Sequence, residues 1–361
     1  MSVRDLTSVK FILSEFNHPT LTKNLFELNA VKECVWFGDK LKISLVMPFV
    51  WRSVFEILQQ QTTDIIIQTT KAKAVLWSIE YDIATLKRAN NQHAVKNIKN
   101  IIAVSSGKGG VGKSSTAVNL ALALQHEGAK VGLLDADIYG PSIPTMLGTS
   151  DQHPLTPDNQ HMTPIMAYGL ATNSIGYLVE QGNAMVWRGP MASKALLQML
   201  YDTLWPTLDY LVIDMPPGTG DIQLTLAQSI PVTASIIVTT PQDIALIDAQ
   251  KGIAMFNKVN IPTLGIIENM SYHICENCGH HETIFGEEGA QKLAQQYHTQ
   301  LLGQIPLHRS LRQDLDQGKP TVMSHPTSKF TDIYCHLADN IASILYFQGK
   351  VILPDISVKT L

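Results

Sequence analysis

The sequence has no surplus of basic residues and no long apolar run. Lysine and arginine number 27 against 31 aspartate and glutamate, for a formal net charge of −4. General affinity for nucleic acid requires clustered Lys and Arg in clear excess. No segment reaches the ~20 consecutive apolar residues of a membrane span, and the N-terminus does not resemble a secretory signal. We therefore expect a cytoplasmic protein with no nucleic-acid and no membrane partner.

Cysteine is also scarce, with four residues in the whole chain. In a reducing compartment such residues are thiols or metal ligands rather than a disulfide framework. Cys34 and Cys335 are isolated in sequence, and we interpret them as buried small apolar residues. Cys275 and Cys278 form a C-x-x-C pair, so metal chemistry is expected there.

The apolar pattern divides the chain into a small α+β unit at 1–86, a polar linker at 87–100, a larger domain at 101–348 and a tail at 349–361. In the first unit the pattern predicts a helix at 9–16, a hairpin of strands 30–37 and 40–47, a helix at 50–60 and a strand at 64–69.

From residue 101 onward, short apolar runs alternate with helical patterns. The runs are 101–104, 131–134, 210–213, 235–238, 264–267 and 301–305. This alternation predicts an α/β fold with a mostly parallel sheet flanked by helices. Ligands of such sheets bind at the carboxyl ends of the strands, so the loops after these runs are the candidate sites.

The loop after the first run has the G-x-x-x-x-G-K-[ST] spacing of a P-loop, and a helix is predicted directly behind it. Its residues are Gly107, Lys108, Gly109, Gly110, Val111, Gly112, Lys113 and Ser114. Backbone N–H groups of such a loop surround phosphates, the lysine reaches the β- and γ-phosphates, and the hydroxyl binds Mg²⁺. The sequence therefore predicts a Mg-ATP site with Lys113 and Ser114 in these roles, to which we also assign Ser115.

Aspartates follow two later runs. Asp135 and Asp137 come after 131–134, and Asp214 ends 210–213 and leads into a loop rich in proline and glycine. A carboxylate at this position can hold Mg²⁺ or orient the attacking water. Aspartate is also a common turn or cap residue. Taken alone, Asp135 and Asp137 can therefore be either functional carboxylates or turn residues.

Lys108 is a second lysine inside the loop, and phosphate binding does not require it. The loop Gly-Lys-Gly-Gly-Val-Gly-Lys-Ser resembles the deviant Walker A motif of the class that holds the nitrogenase iron protein, the partitioning ATPases and the Mrp-type carriers. In that class the extra lysine reaches the phosphates of a dimer partner. The resemblance therefore implies a homodimer in which Lys108 acts in trans and is catalytic together with Lys113.

The same resemblance implies roles for residues outside the loop. Asp135-Ala-Asp137-Ile-Tyr-Gly-Pro-Ser is similar to the family's switch I, and Asp214-Met-Pro-Pro-Gly-Thr-Gly-Asp to its Walker B strand end and switch II. It favours Asp137 for orienting the water and Asp135 and Asp214 for Mg²⁺. It also assigns Asn269 to the adenine, although an Asn after a strand can equally be a turn residue.

The cysteine pair is compatible with zinc, an iron–sulfur cluster or a redox dithiol. The region does not resemble a thioredoxin-like unit, which disfavours the dithiol. Two thiolates fill half of the four ligands that a cluster takes, and a two-fold dimer would supply the other two. We therefore predict a cluster bound by Cys275 and Cys278 of two chains, with [4Fe–4S] favoured and [2Fe–2S] left open by the sequence. The alternative is one zinc per chain, completed by histidines among His273, His280 and His281.

Together these segments cover most of 101–345 and resemble the Mrp-type (ApbC-like) iron–sulfur carrier ATPases. Residues 1–86 resemble the iron–sulfur-assembly domain of bacterial members, but the turn at 47–50 lacks the cysteine that many such domains carry. The resemblance implies slow ATP hydrolysis coupled to transfer of the cluster, with apo iron–sulfur proteins and assembly scaffolds as partners. The alternative is a MinD- or ParA-like positioning or regulatory ATPase with a structural zinc at the cysteine loop.

Overall fold

The computed structural model describes residues 6–178 and 189–352. Within these ranges the chain forms a three-stranded sheet and a nine-stranded sheet, each packed against helices. No helix of the described ranges is long and apolar enough to cross a bilayer. The tail predicted at 349–361 lies outside the described residues from 353 onward.

The small sheet and its helices come first along the chain. The elements are α1 (Thr7–Glu15), β1 (Val31–Phe37), β2 (Lys40–Met47), α2 (Arg52–Thr70) and β3 (Val75–Tyr81). β1 and β2 are antiparallel and meet at a turn where Gly38 has φ of 65°, and β3 lies parallel to β2. The hairpin predicted from the sequence is confirmed.

The strand predicted at 64–69 is wrong, because those residues belong to the second half of α2. The run of isoleucines at 65–67 favours a strand locally. However, Val54, Leu58, Thr62 and Ile66 are buried at helical spacing, so packing of one helix face overrides the local preference. The third strand of this sheet is β3 instead.

The larger sheet is built from the rest of the chain. Its strands and flanking helices are β4 (Ile98–Ser105), α3 (Lys113–His126), β5 (Val131–Asp135), α4 (Ile143–Met146), β6 (Ile165–Ala167), β7 (Leu170–Ser174), α5 (Gly189–Tyr201), β8 (Leu208–Asp214), α6 (Asp221–Ser229), β9 (Ala234–Thr239), α7 (Asp243–Lys258), β10 (Thr263–Ile274), β11 (His281–Glu282), α8 (Gly289–Gln296), β12 (Gln300–Leu307), α9 (Arg309–Asp316), α10 (Thr321–Ser324) and α11 (Lys329–Gln348).

The strand order is β11-β10-β9-β4-β8-β5-β7-β6, with β12 paired to β10. All six predicted runs lie in strands, and the pairs among β4, β5, β7, β8, β9, β10 and β12 are parallel. The predicted α/β fold with a mostly parallel sheet is confirmed. β4 begins at Ile98, so the end of the segment expected to be a linker is already part of the sheet.

The register brings the candidate sites to one edge of this sheet. Asp214 at the end of β8 lies opposite Val104 of β4 on one side and Asp135 of β5 on the other. The P-loop leaves β4 immediately afterwards and runs into α3. Three neighbouring parallel strands therefore deliver the P-loop and two aspartates to the same place.

The two sheets share one cluster of buried apolar residues. The Phe49 ring lies 5.3 Å from that of Tyr346 and 5.7 Å from that of Phe347, measured between centroids. At the start of α2, Ser53 donates two hydrogen bonds to the carboxylate of Glu127, which follows α3. The first unit is thus packed on α3 and α11 of the larger one.

Candidate nucleotide site and cysteine loop

The P-loop joins the end of β4 to the first turn of α3. Gly112 has φ of 81°, and a Cβ there would collide with the side-chain amide of Asn269. Only glycine fits, because the conformation is left-handed and the space is taken. Lys113 is the first residue of α3 and is buried, while Gly109 and Gly110 at the tip of the loop are exposed.

The loop also packs against α7. A Cβ at Gly107 would collide with the backbone carbonyl of Asp248, so this close approach also requires glycine. Lys108 is partly exposed, and its carbonyl accepts a hydrogen bond from the Ser106 hydroxyl at 2.8 Å. The lysine predicted to act in trans therefore lies on the accessible side of the loop.

Lys113 and Asp214 form a buried ion pair at the centre of the site. The Lys113 Nζ lies 2.5 Å from Asp214 Oδ1 and 3.3 Å from the Ser114 hydroxyl. Burial raises the pKa of Asp214, and the Lys113 ammonium opposes that shift. The second carboxylate oxygen of Asp214 is buried without a hydrogen-bond partner. An unpartnered oxygen in this position leaves room for another cation or its water.

Asp135 lies beside Asp214 and is fully buried. Its oxygens accept hydrogen bonds from the Asp137 backbone N–H at 3.1 Å and the Ser174 hydroxyl at 2.9 Å. Burial, followed by the charge of Asp214, raises the pKa of Asp135 to about 7. Two buried carboxylates facing one lysine form a site short of positive charge.

The oxygen ligands at this point match the preference of Mg²⁺. Ser114, Asp135 and Asp214 supply a hydroxyl and two carboxylates, and hard oxygen ligands of this kind are what Mg²⁺ takes. Asp137 is buried next to them, since its charge contributes to the raised pKa of Asp214. The structure thus brings together the residues predicted from the sequence for Mg²⁺ and for orienting the water.

Asn269 lies on the other side of the loop, on β10. Its Nδ2 donates to the Val111 carbonyl at 2.9 Å. The preceding residue, Glu268, is buried and accepts hydrogen bonds from Ser271 and Gln304, which fixes this part of the strand. Asn269 also lines a groove with Gly112, Ser115, Pro306, His308 and Arg312. The groove opens directly off the P-loop.

The cysteine loop follows the end of β10. The Cys275 N–H donates to the His280 carbonyl, and the Gly279 N–H donates to the Cys275 carbonyl, both at 2.9 Å. Backbone N–H groups of Cys278 and Asn277 hydrogen-bond the Cys275 sulfur and lower its pKa. Cys278 is exposed and Cys275 partly so. The turn therefore presents a pair of accessible thiols, and the pKa of Cys275 is lowered by the N–H groups around its sulfur.

The nearby histidines do not complete a metal site with these thiols. The His273 Nδ1 lies 3.2 Å from the Leu307 carbonyl, and the His281 ring stacks on Tyr272 with centroids 5.4 Å apart. Among the described residues, no group of three potential metal ligands includes Cys275 or Cys278. Within one chain the loop thus offers two ligands.

Two contacts of this region were not predicted from the sequence. Ser174, at the end of β7, holds Asp135, and β7 itself had no counterpart among the predicted runs. The His308 Nε2 lies 3.5 Å from a carboxylate oxygen of Glu276, inside the cysteine loop. His308 also lines the groove beside the P-loop, so this residue borders both the groove and the cysteine loop. For the contact of Ser174 with Asp135, the only local signal in the sequence is the polar Thr-Asn-Ser end of β7. The contact of His308 with Glu276 has no local signal.

A glycine-rich loop between β4 and α3, with aspartates at the ends of β8 and β5, the next two strands of the sheet, defines a P-loop NTPase. A family model described as ParA-type, "NUBPL iron-transfer P-loop NTPase", matches residues 97–342. The chain belongs to this family. An "Iron-sulfur cluster carrier protein" of Salmonella typhimurium is 68% identical over 347 residues, covering 96% of this chain and 94% of the relative.

A mouse relative named "Iron-sulfur cluster transfer protein NUBPL" is 50% identical over 252 residues, 69% of this chain and 79% of the relative. Among solved structures, a nucleotide-binding protein of Archaeoglobus fulgidus in complex with ADP has a TM-score of 0.58 and 34% identity, covering 66% of this chain and 93% of its own. The cell-division ATPase MinD of Pyrococcus furiosus, at 23% identity and a TM-score of 0.51 over 67% of this chain and 98% of its own, shares the fold.

Proposed function

We propose that this chain is an ATP-dependent iron–sulfur cluster carrier, which binds its cluster between two copies through Cys275 and Cys278. It takes the cluster from an assembly scaffold and transfers it to apo-proteins in the cytoplasm. The names of the relatives support the carrier role. The observation that carries the proposal is an accessible pair of thiols with no third ligand beside them in the described part of the chain.

The ligand count favours sharing between two chains. Four thiolates hold a [4Fe–4S] cluster, and one loop supplies two. A two-fold axis through the loop would bring two such pairs face to face. The N–H groups that lower the pKa of Cys275 also suit a bound sulfur ligand, since hydrogen bonds to sulfur tune clusters. A cluster held at such an interface is accessible to a recipient protein.

The nucleotide site would work through slow hydrolysis of Mg-ATP. Lys113 would exchange Asp214 for the β- and γ-phosphates. Ser114, Asp135 and Asp214 would hold Mg²⁺, an ion that supplies positive charge against the phosphates when bound. Asp137 orients the attacking water. Lys108 of the partner subunit stabilises the developing charge. Residues 107–115 bind the phosphates, and Asn269 binds the base.

Strand β10 is the physical connection between the two activities. It carries Asn269, which touches the P-loop, and Cys275 follows its last residue, Ile274. The Glu276–His308 contact makes a second connection between the same two regions. A change in the nucleotide that moves Asn269 would be transmitted along one strand to the cluster ligands.

Asp137→Asn would remove the group that orients the attacking water and so block hydrolysis. We expect this variant to bind ATP and the cluster yet fail to deliver the cluster in cells.

Anaerobic reconstitution with iron and sulfide tests the carrier proposal. We expect about four irons and four sulfides per dimer, as four thiolates from two loops would hold. The cluster should be absent from a Cys275→Ala/Cys278→Ala variant that still binds ATP. A Cys34→Ala variant serves as the control and should retain the cluster. About one zinc per chain with no sulfide would contradict the carrier proposal. That result would indicate a regulatory ATPase with a structural metal.

A further inference from the structure

A second group of potential metal ligands lies where the first unit packs on the larger one. His126 is the last residue of α3 and Glu127 follows it, while Cys335 lies on the facing helix α11. The imidazole, carboxylate and thiol donor atoms all lie within 4.8 Å of one another. Glu127 and Cys335 are buried, and His126 is partly exposed. None of these residues belongs to the nucleotide site or the cysteine loop.

The spacing of the donor atoms is that of ligands around one ion. The Cys335 Sγ lies 3.5 Å from His126 Nδ1, and the same nitrogen lies 3.5 Å from Glu127 Oε1. Zinc bonds of about 2.0–2.3 Å at tetrahedral angles place neighbouring ligand atoms roughly 3.3–3.8 Å apart. The His126 nitrogen therefore lies at the spacing of neighbouring zinc ligands from both other donor atoms.

A buried carboxyl group lies close to this cluster on α11. Asp339 lies one helical turn after Cys335 and is 1% exposed, yet neither of its side-chain oxygens has a hydrogen-bond partner. Burying a polar group without a partner is costly, and a divalent ion bound beside Asp339 would offset part of that cost.

We propose that His126, Glu127 and Cys335 form a binding site for one first-row divalent cation beside Asp339, with zinc as the best match. Imidazole, thiolate and carboxylate together suit zinc better than the oxygen-seeking Mg²⁺ or Ca²⁺. Ser53 donates to both oxygens of Glu127, each at 2.7 Å, and so orients this ligand from outside. The ligands must be deprotonated, so binding releases protons and strengthens with rising pH.

The position of the ion gives it a structural role. At the start of α2, Ser53 hydrogen-bonds Glu127 and Arg52 hydrogen-bonds the His126 carbonyl. The ion would connect His126 and Glu127 to Cys335 on α11. Helix α3 begins at the P-loop lysine and ends at this site. Occupancy would thus clamp the first unit onto the two helices that support the nucleotide site.

Binding of Co²⁺ to the full-length Cys275→Ala/Cys278→Ala protein is the test, since that background removes the other thiol pair. We expect one Co²⁺ per chain, a thiolate-to-cobalt absorption band in the near ultraviolet, displacement by zinc, and a higher Tm with zinc than with a chelator. Adding Cys335→Ala should remove the band and weaken zinc binding by more than about tenfold. Adding Cys34→Ala should change neither.

Asp339→Asn keeps the test decisive if other variants fold poorly. It removes one buried carboxylate, so we expect the metal-free protein to be at least as stable as its parent while the rise in Tm with zinc becomes smaller. A folded parent that binds no Co²⁺, or a band that persists after Cys335→Ala, would overturn the proposal. Loss of this site would leave the cluster proposal untouched, because its ligands are different.

Discussion

The side-chain amide of Asn269 donates a hydrogen bond to the Val111 carbonyl, 2.9 Å away, and thereby joins β10 to the P-loop. The strand continues for five residues to Ile274 and delivers Cys275 directly after it. Position 269 therefore connects the phosphate loop physically to the segment that carries the thiols.

Asn269→Ala should weaken ATP binding by about five- to tenfold, as expected for one lost hydrogen bond of ~1 kcal/mol together with a contact to the base. Iron and sulfide content after reconstitution should be unchanged. Gly112→Ala should be more severe, because its Cβ collides with the Asn269 amide and its φ of 81° is unfavourable for alanine. Calorimetric titration with ATP measures both, and equal affinities for wild type and Asn269→Ala would refute the role of Asn269.

Lys113→Met should abolish ATP binding and also destabilise the ligand-free protein by about 3 kcal/mol, since it leaves Asp214 buried without its cation. Adding Asp214→Asn should restore much of that stability without restoring ATP binding. Urea unfolding measures the first effect. Lys130→Met, at an exposed position on the same domain, is the control and should cost less than ~0.5 kcal/mol. Additive losses in the double variant would mean that the pair is not coupled.

The ligand-free protein should lose stability relative to Asp135→Asn as pH rises from about 4 to about 7. The pKa of Asp135 is raised from 3.8 to about 7 in the folded protein. Between these two pH values the folded state holds a proton on Asp135 that the unfolded state has lost, so the stability that this proton contributes falls as pH rises and is gone above about pH 7. At pH 8 the variant should be more stable by ~1 kcal/mol or more. Urea unfolding across this pH range, with the exposed Asp151→Asn as control, is the measurement. A constant difference would contradict the buried carboxylate pair.

Cys275 should react with iodoacetamide at lower pH in the folded apo-protein than in the urea-unfolded chain. Backbone N–H groups of Cys278 and Asn277 stabilise its thiolate and lower the pKa. Mass spectrometry of the Cys275 peptide gives the midpoint of alkylation against pH. Cys278→Ala keeps the backbone donor and should retain most of the shift. Identical midpoints in folded and unfolded protein would show that the turn does not prepare this sulfur as a ligand.

Much of the larger domain could be predicted because each signal was local. The six apolar runs, the glycine spacing of the P-loop and the strand-end aspartates all depend on neighbouring residues. The strand predicted at 64–69 is wrong because three consecutive isoleucines favour a strand locally, whereas Leu58, Thr62 and Ile66 have helical spacing. Burial on one helix face outweighs a short β-branched run.

Contacts between distant segments could not be predicted in this way. Ser174 reaches Asp135 only after β7 has joined the sheet beside β5. His308 and Glu276 meet because β12 pairs with β10. The cluster of His126 and Cys335 depends on the packing of α11 on α3, so Cys335 could not be distinguished in sequence from an ordinary buried cysteine.

Native mass spectrometry of mixed dimers tests the shared cluster most directly. Wild-type chains and Cys275→Ala/Cys278→Ala chains of distinguishable mass are mixed and reconstituted anaerobically with limiting iron and sulfide. We expect one [4Fe–4S] cluster in the wild-type dimer and none in the mixed or the variant dimer, because each chain would supply two of the four thiolates. A cluster of that mass retained by the mixed dimer, or by a wild-type monomer, would contradict it.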